Sequence, residues 1–260
     1  MTTTLEQLCL ECVVLLGKTA IVTGASRGIG RQITIALAQA GADVVVQGRS
    51  EDTLKNLQEA VVQMGRTAAI VIGDVTEVQT AAETVRVAEQ IRGPIDILVN
   101  NAGMNSRSST LDMALEDWHR VIDVNLNGTL HFCRATLPKM IAQKYGSIVN
   151  VSSTTSKTPH RNAAPSYGAS KAAVNYLTMH LAQEMAQYNI RVNAVCPGPV
   201  ESDMTAEWSE EYRQATLARI PLGRLGTPQS IAEIVLFLAS DMSNFVTGET
   251  INANGGTYMN

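Results

Sequence analysis

Aromatic residues are scarce in this chain, at 4% of 260 positions, which leaves too few rings for a platform that stacks single-stranded bases. An excess of positive charge is missing too. Twenty Lys and Arg face 24 Asp and Glu, for a net charge of −4, so the surface that displaces counterions from nucleic acid is not expected. No apolar run approaches the roughly 18 residues needed to span a bilayer. Neither nucleic acid nor membrane is therefore expected as a partner. Four cysteines (Cys9, Cys12, Cys133, Cys196) are too few and too scattered for a disulfide framework. Cys9 and Cys12 have C-x-x-C spacing, but no strand precedes them as a redox pair would require. No second pair supplies the remaining ligands of a zinc site, and His119, His131, His160 and His180 show no metal spacing, so no metal is expected. Met1–Cys12 has no Lys or Arg and carries Glu6 and Glu11, unlike a signal peptide. The reading is a protein of the reducing cytoplasm.

What the chain does have is apolar material, 45% of its residues, arranged in alternating periods. Runs of strand length fall at Lys18–Thr23, Asp43–Gln47, Thr67–Gly73, Ile95–Asn100, Ser147–Ser152 and Arg191–Cys196, with a last one around Ile251. Helical spacing lies between them, over Gly28–Ala40, Glu51 to about Met64, and near 78–92, 115–144 and 166–188. Apolar strands separated by helices mean buried parallel strands with crossovers on both faces. Right-handed crossovers then give a single-domain, Rossmann-like, doubly wound parallel β-sheet of about seven strands. Ligands bind such sheets beyond the carboxyl ends of the strands, so the chemistry is sought in the residues that follow each strand.

After the first strand comes Thr23-Gly24-Ala25-Ser26-Arg27-Gly28-Ile29-Gly30. Glycines let the backbone approach a ligand closely, and the helix that follows offers free N–H groups to a diphosphate. The spacing is G-x-x-x-G-x-G, and the Gly-Lys-Ser/Thr ending of a P-loop is absent. Later in the chain, Tyr167 and Lys171 stand four apart, one helical turn on a shared face. Val174, Leu177, Leu181 and Met185 continue that face as an apolar stripe. A lysine there costs desolvation. Its charge is expected to favour the phenolate and bring Tyr167 toward the range useful for acid–base work.

The glycine loop, Asp74 after strand three, Asn100-Asn101-Ala102-Gly103, Asn125, Ser152-Ser153, Tyr167-x-x-x-Lys171 and Pro197-Gly198 together resemble the short-chain dehydrogenase/reductase family. The resemblance covers about Lys18 to the C-terminus, so residues 1–17 are read as an extension and 18–260 as one dinucleotide-binding and catalytic domain. It implies an oxidoreductase that moves a hydride between a nicotinamide and a ketone or secondary alcohol. Tyr167 would exchange the proton, Ser153 orient the substrate oxygen, Lys171 also hold the nicotinamide ribose, and Asn125 anchor a water in a proton relay. Ser152 and Ser153 lie on opposite strand faces; the family pattern favours Ser153. It also implies cofactor contacts at Gly24, Ser26, Arg27, Gly28, Ile29 and Gly30, at Asp74 and Val75, at Asn101, Ala102 and Gly103, and at Pro197, Gly198 and Val200, besides Tyr167 and Lys171.

An NAD-selective site places an acid at the end of strand two. Here Gly48 takes that position and Arg49 follows, with Arg27 in the glycine loop opposite. Both arginines suit a 2′-phosphate, so NADP(H) is expected in preference to NAD(H), with Glu51 and Asp52 close enough to offset Arg49 in part. Lys157, His160 and Arg161 are read as a basic substrate mouth, with His160 touching the substrate. The stretch Pro197–Thr205 and the tail after Thr247 resemble the 3-oxoacyl-[acyl-carrier-protein] reductases of the family. The segment Ser153–Tyr167 is nearer its sugar-acid and polyol dehydrogenases. The expected substrate is thus a small carbonyl/alcohol or an acyl thioester, the expected assembly a homotetramer through the 115–144 and 166–188 helices. The alternative of another class is a dinucleotide sensor without turnover.

Overall fold

The strands are dense in Val, Ile and Ala because both of their faces are covered. The computed structural model describes residues 14–259 other than 162, 203, 204 and 206. Cys9, Cys12, Asp203 and Met204 lie outside the described residues. In chain order the elements are β1 (Thr19–Thr23), α1 (Gly28–Gln39), β2 (Asp43–Gly48), α2 (Glu51–Gln63), β3 (Ala68–Ile72), α3 (Val78–Ile91), β4 (Ile97–Asn100) and α4 (Leu115–Ile122). Then follow α5 (Gly128–Gln143), β5 (Gly146–Val151), α6 (Pro165–Met185), β6 (Ile190–Pro197), α7 (Glu210–Leu217), α8 (Pro228–Ala239) and β7 (Thr250–Ala253). All seven strands are parallel, in the order β3-β2-β1-β4-β5-β6-β7. The order reverses between β1 and β4, and the crevice at that switch is where this architecture binds ligands.

Strand alternation divides the interior into two layers. Ala20 and Val22 of β1, with Val44 and Val46 of β2, pack under Ile33 and Leu37 of α1, Leu54 and Leu57 of α2, and Val235 and Leu238 of α8. Ile21 and Val45 point the other way, against Val85 of α3, Phe132 and Met140 of α5, and Leu181 and Met185 of α6. The fold is the doubly wound single-domain Rossmann-like sheet expected. Leu15 is buried, and its N–H donates to the carbonyl of Ala40, so this residue of the expected extension packs on the body.

Three local features differ from expectation. The single helix anticipated over 115–144 is interrupted by a π turn at Asp123–Asn127. Two further helices, α7 and α8, occupy the stretch before β7. Both carry recognisable start signals. Ser209 accepts from the Tyr212 N–H and precedes Glu210 and Glu211, while Thr227 accepts from the Ser230 N–H ahead of Pro228.

Polar side chains also bind the layers. Asn100 on β4 donates its amide to Asn150 Oδ1 on β5 at 2.9 Å, and Asn150 donates to Thr178 Oγ1 on α6 at 2.9 Å. All three are buried. Asn150→Ala should therefore take one partner from each of two buried groups, which keep Cys133 Sγ and the Val174 carbonyl respectively, and cost about 1–3 kcal/mol. Urea unfolding checks this: a midpoint shifted down at unchanged slope is expected, and an unshifted midpoint would contradict it.

Candidate active site

The carboxyl ends of β1 and β4 are held together by one hydroxyl and one amide. Thr23 Oγ1 accepts from the N–H groups of Asn101 (3.0 Å) and Ala102 (3.1 Å). Asn101 Nδ2 donates to the carbonyls of Thr23 and Gly24, both at 3.0 Å. Gln47 adds a brace from β2, donating to the Gly73 carbonyl at 2.7 Å. The glycines of the loop divide by task. A Cβ on Gly24, which has φ +62°, would lie 2.7 Å from Ala102 Cα, and one on Gly30 would run into Asn101 Nδ2 and the Gly24 carbonyl. At these two positions the missing Cβ is required for packing. Gly28, at φ +54°, has nothing within 4 Å of its Cβ position and is the one that opens outward. Arg27, at the N-cap of α1, makes no side-chain cap bond, so the first amides of α1 remain available. Open space, glycine and free N–H groups together fit a diphosphate.

Beyond this loop, Gly48 ends β2 directly beneath Ser26, whose hydroxyl a Cβ on Gly48 would strike. Arg49 is 72% exposed and stands 3.9 Å from Asp74. Glu51 is taken up by Lys55 at 2.6 Å, and Asp74 is the acid that stands beside Arg49. Asp74 Oδ1 accepts from Thr76 N and Oγ1, both at 3.0 Å. Those bonds, with Arg49 and Arg120 nearby, hold its carboxyl below the usual range. An open hollow of about 440 Å³ lies beside Asp74 and includes His119, Arg120 and Asp123. On the next turn of chain, Val75 fills the space that Gly128 leaves by lacking a Cβ, and His131 reaches its carbonyl at 3.2 Å.

α6 begins with Pro165 at its first turn, which places Tyr167 and Lys171 where β5 ends. Lys171 is buried, and its ammonium donates to the Val151 carbonyl at 2.7 Å. Burial pulls its pKa down to about 8. The Lys171 Nζ stands 5.9 Å from the centre of the Tyr167 ring. Burial pushes the Tyr167 phenol up from its ordinary value, and hydrogen bonding to Ser153 counters only part of that. The expected acidification of Tyr167 by Lys171 is thus not supplied by the protein alone, because the lysine is itself desolvated and directed at a backbone carbonyl.

The two serines separate cleanly. Ser152 spends its hydroxyl on the Lys171 carbonyl at 3.2 Å. Ser153 faces the Tyr167 phenol and accepts from Thr155 Oγ1 at 2.8 Å and Thr155 N at 3.2 Å. Asn125 sits in the π turn with its amide fully engaged. Its Oδ1 accepts from Met104 N at 2.8 Å, and its Nδ2 donates to the Met104 carbonyl and to Ser170 Oγ, each at 2.9 Å. It braces the loop after β4 against α6. A relay water would therefore have to meet the Asn125 backbone rather than its side-chain donors. Lys171 Nζ and Asn125 Oδ1 converge over Gly103, each 3.3 Å from where its Cβ would stand. Pro197 accepts from Thr154 Oγ1 at 3.2 Å, Gly198 packs on Asn254, and Val200 pairs with Gly226.

A cleft of about 290 Å³ opens beside Ser153, between the Thr154–Arg161 segment and α7. His160 and Arg161 line it as expected, but Lys157 does not. Lys157 turns inward and donates to the Thr250 carbonyl and Asn252 Oδ1, both at 2.9 Å. The basic residue that takes its place is Arg219, which follows α7. The sequence reading missed it because that helix was not anticipated. Burial, with Arg219 close by, lowers the pKa of His160.

This geometry has close counterparts. A family model described as Enoyl-(Acyl carrier protein) reductase matches residues 24–258. The chain belongs to the short-chain dehydrogenase/reductase family. It is 43% identical to the 3-oxoacyl-[acyl-carrier-protein] reductase of Thermotoga maritima, over 92% of this chain and 97% of that one. A crystal structure of a 3-oxoacyl-[acyl-carrier protein] reductase from Brucella melitensis is 34% identical, with a TM-score of 0.92 over 100% of this chain and 98% of that one. Another from the same organism, with bound NAD, is 33% identical at a TM-score of 0.90 over the same shares.

A buried ammonium with a depressed pKa has a measurable signature. Between about pH 8 and 10.5 the unfolded chain holds more protons at Lys171 than the folded one, so this residue's burial becomes less costly as pH rises. Lys171→Met should then stabilise the fold near pH 7 by about 1–3 kcal/mol while removing activity. The gain should shrink toward pH 10. Thermal melts across that range test it; a variant less stable at pH 7, or a gain independent of pH, would contradict it.

Proposed function

We propose that the protein is a nicotinamide-dependent carbonyl reductase, passing a hydride between the cofactor and a ketone/secondary-alcohol pair, most like the 3-oxoacyl-[acyl-carrier-protein] reductases. The observation that carries this reading is the convergence of Ser153, Tyr167 and Lys171 at one mouth, with a small cleft on one side and the glycine loop on the other. When bound, the nicotinamide supplies or takes the hydride. Tyr167 holds the proton for the substrate oxygen. Its raised pKa keeps the phenol protonated at neutral pH, the state that donates during reduction. Ser153 donates to the same oxygen and fixes its direction. Lys171 holds the nicotinamide ribose and restores charge balance beside Tyr167. Asn125 is a positioning residue, keeping Met104 and α6 in register. An intact set of proton-handling groups favours turnover over dinucleotide sensing.

NADP(H) is the preferred cofactor in this reading. Its support is the missing carboxylate at Gly48 and the exposure of Arg49 and Arg27 at that edge. A homotetramer of the cytoplasm, with 18–260 as its domain, completes the proposal. The exposed Tyr176 and Met179 on α6 and Leu115 on α4 suit helix faces that pack against another copy. No helix among the described residues is long and apolar enough to cross a membrane.

Turnover of 3-oxobutanoyl thioester, followed by loss of NADPH absorbance, tests the activity. Tyr167→Phe should lower kcat by about 10²–10⁴-fold with little change in cofactor Kd; near-normal kcat would remove Tyr167 from proton transfer. Titration with both reduced cofactors tests the preference. NADPH should bind more tightly, and Arg49→Ala should cost about tenfold or more in NADPH affinity with NADH unchanged. Equal binding of the two by the unaltered protein would contradict it.

A further inference from the structure

The cleft beside Ser153 carries charge of one sign. Among the described residues its lining includes the guanidiniums of Arg161 and Arg219 and the imidazole of His160, and no carboxylate. The inner wall is neutral hydroxyl chemistry from Thr154, Thr155 and Thr158. Two chain segments far apart in sequence supply the charge. Arg161 comes from the segment leading into α6. Arg219 comes from the turn that follows α7, two residues past Leu217, and Tyr212, Ala215 and Thr216 of α7 share the cleft wall with it. Glu210 and Glu211 stand at the opposite end of α7 and are not among the lining residues. Neither arginine is ion-paired to a carboxylate among the described residues. Like charges gathered without a counter-charge repel one another unless an anion joins them, and guanidinium forks match carboxylate and phosphate oxygens.

We propose that Arg161 and Arg219 form an anion anchor at the outer wall of the substrate cleft, which selects ketones bearing a carboxylate or phosphate group. This rests on the reductase reading above and names its substrate class. The small cleft volume, about 290 Å³, is at the lower end for small-molecule sites, so it takes the anionic end of a substrate and not a second whole ligand. His160, which lines the same cleft close to Arg219, contacts the substrate chain.

Two matched substrate pairs test the anchor with NADPH-loaded protein. One is 3-oxobutanoate against its methyl ester. The other is 3-oxobutanoyl-phosphopantetheine against the uncharged 3-oxobutanoyl N-acetylcysteamine thioester. In Arg161→Gln/Arg219→Gln, KM should rise about tenfold or more for the charged member of at least one pair, while kcat/KM for the uncharged member stays close to that of the unaltered protein. Loss confined to the first pair identifies a carboxylate; loss confined to the second identifies the phosphate. Equal losses for charged and uncharged members, or no loss in either pair, overturn the anchor. Should none of the four be reduced, the reductase reading fails on its own, and binding still decides the anchor. 3-Oxobutanoate or phosphopantetheine should raise the melting temperature of the unaltered protein and not of the double variant. No difference between the two proteins overturns it.

Discussion

The ammonium of Lys171 is buried at the mouth of the sheet with a backbone carbonyl, not a carboxylate, as its hydrogen-bond partner, and the surrounding architecture is arranged to tolerate that. An unpaired buried charge is costly, so a fold keeps one only where the element carrying it is fixed from several sides. α6 is fixed in this way. Its apolar face presses on β5 and β6 through Val174, Leu181 and Met185, and Thr178 takes the amide of Asn150 from below. Ser170 takes the amide of Asn125 from the π turn, and Ser152 grips the Lys171 carbonyl. The desolvation that lowers the lysine pKa also raises that of Tyr167. From ordinary values of 10.5 and 10.0 the two move apart, so the phenol becomes the tighter holder of its proton and the ammonium the readier donor.

The nucleotide side of the crevice follows another rule, that backbone must approach backbone. Thr23 and Asn101 stitch β1 to β4 at the topological switch, and Gly24 and Gly30 let those strands and α1 close to contact distance. Only after that packing is satisfied does Gly28 leave room for a ligand. Loop chemistry on one side and a buried proton pair on the other meet at Gly103, where Asn125 and Lys171 converge.

Much of this was legible in the sequence. Strands buried on both faces announce themselves as runs such as Asp43–Gly48, and the Tyr167–Lys171 spacing and glycine loop are local patterns whose geometry follows from helix and turn periods. What was not legible depends on partners distant in the chain. Lys157 reads as a mouth residue until β7 supplies Thr250 and Asn252 to receive it. Asn125 reads as a position within one long helix, because no glycine or proline at Asp123–Asn127 marks the π turn. Arg219 is an unremarkable charge until α7 swings it across from Arg161. The caps at Ser209 and Thr227 were available signals for the two unanticipated helices. Ser152 and Ser153 could be told apart in space only by following which hydroxyl the helix consumes.

The buried, carboxylate-free state of Lys171 is the claim on which the rest turns, and its proton can be watched directly. Carbon-13 labelling of the lysine Cε positions, with Lys171→Met to assign the signal, allows an NMR titration of this one amine in the cofactor-free protein. A midpoint near pH 8 is expected. A midpoint at the ordinary lysine value near 10.5 would contradict it, showing that the ammonium is solvated and that burial does not tune this site.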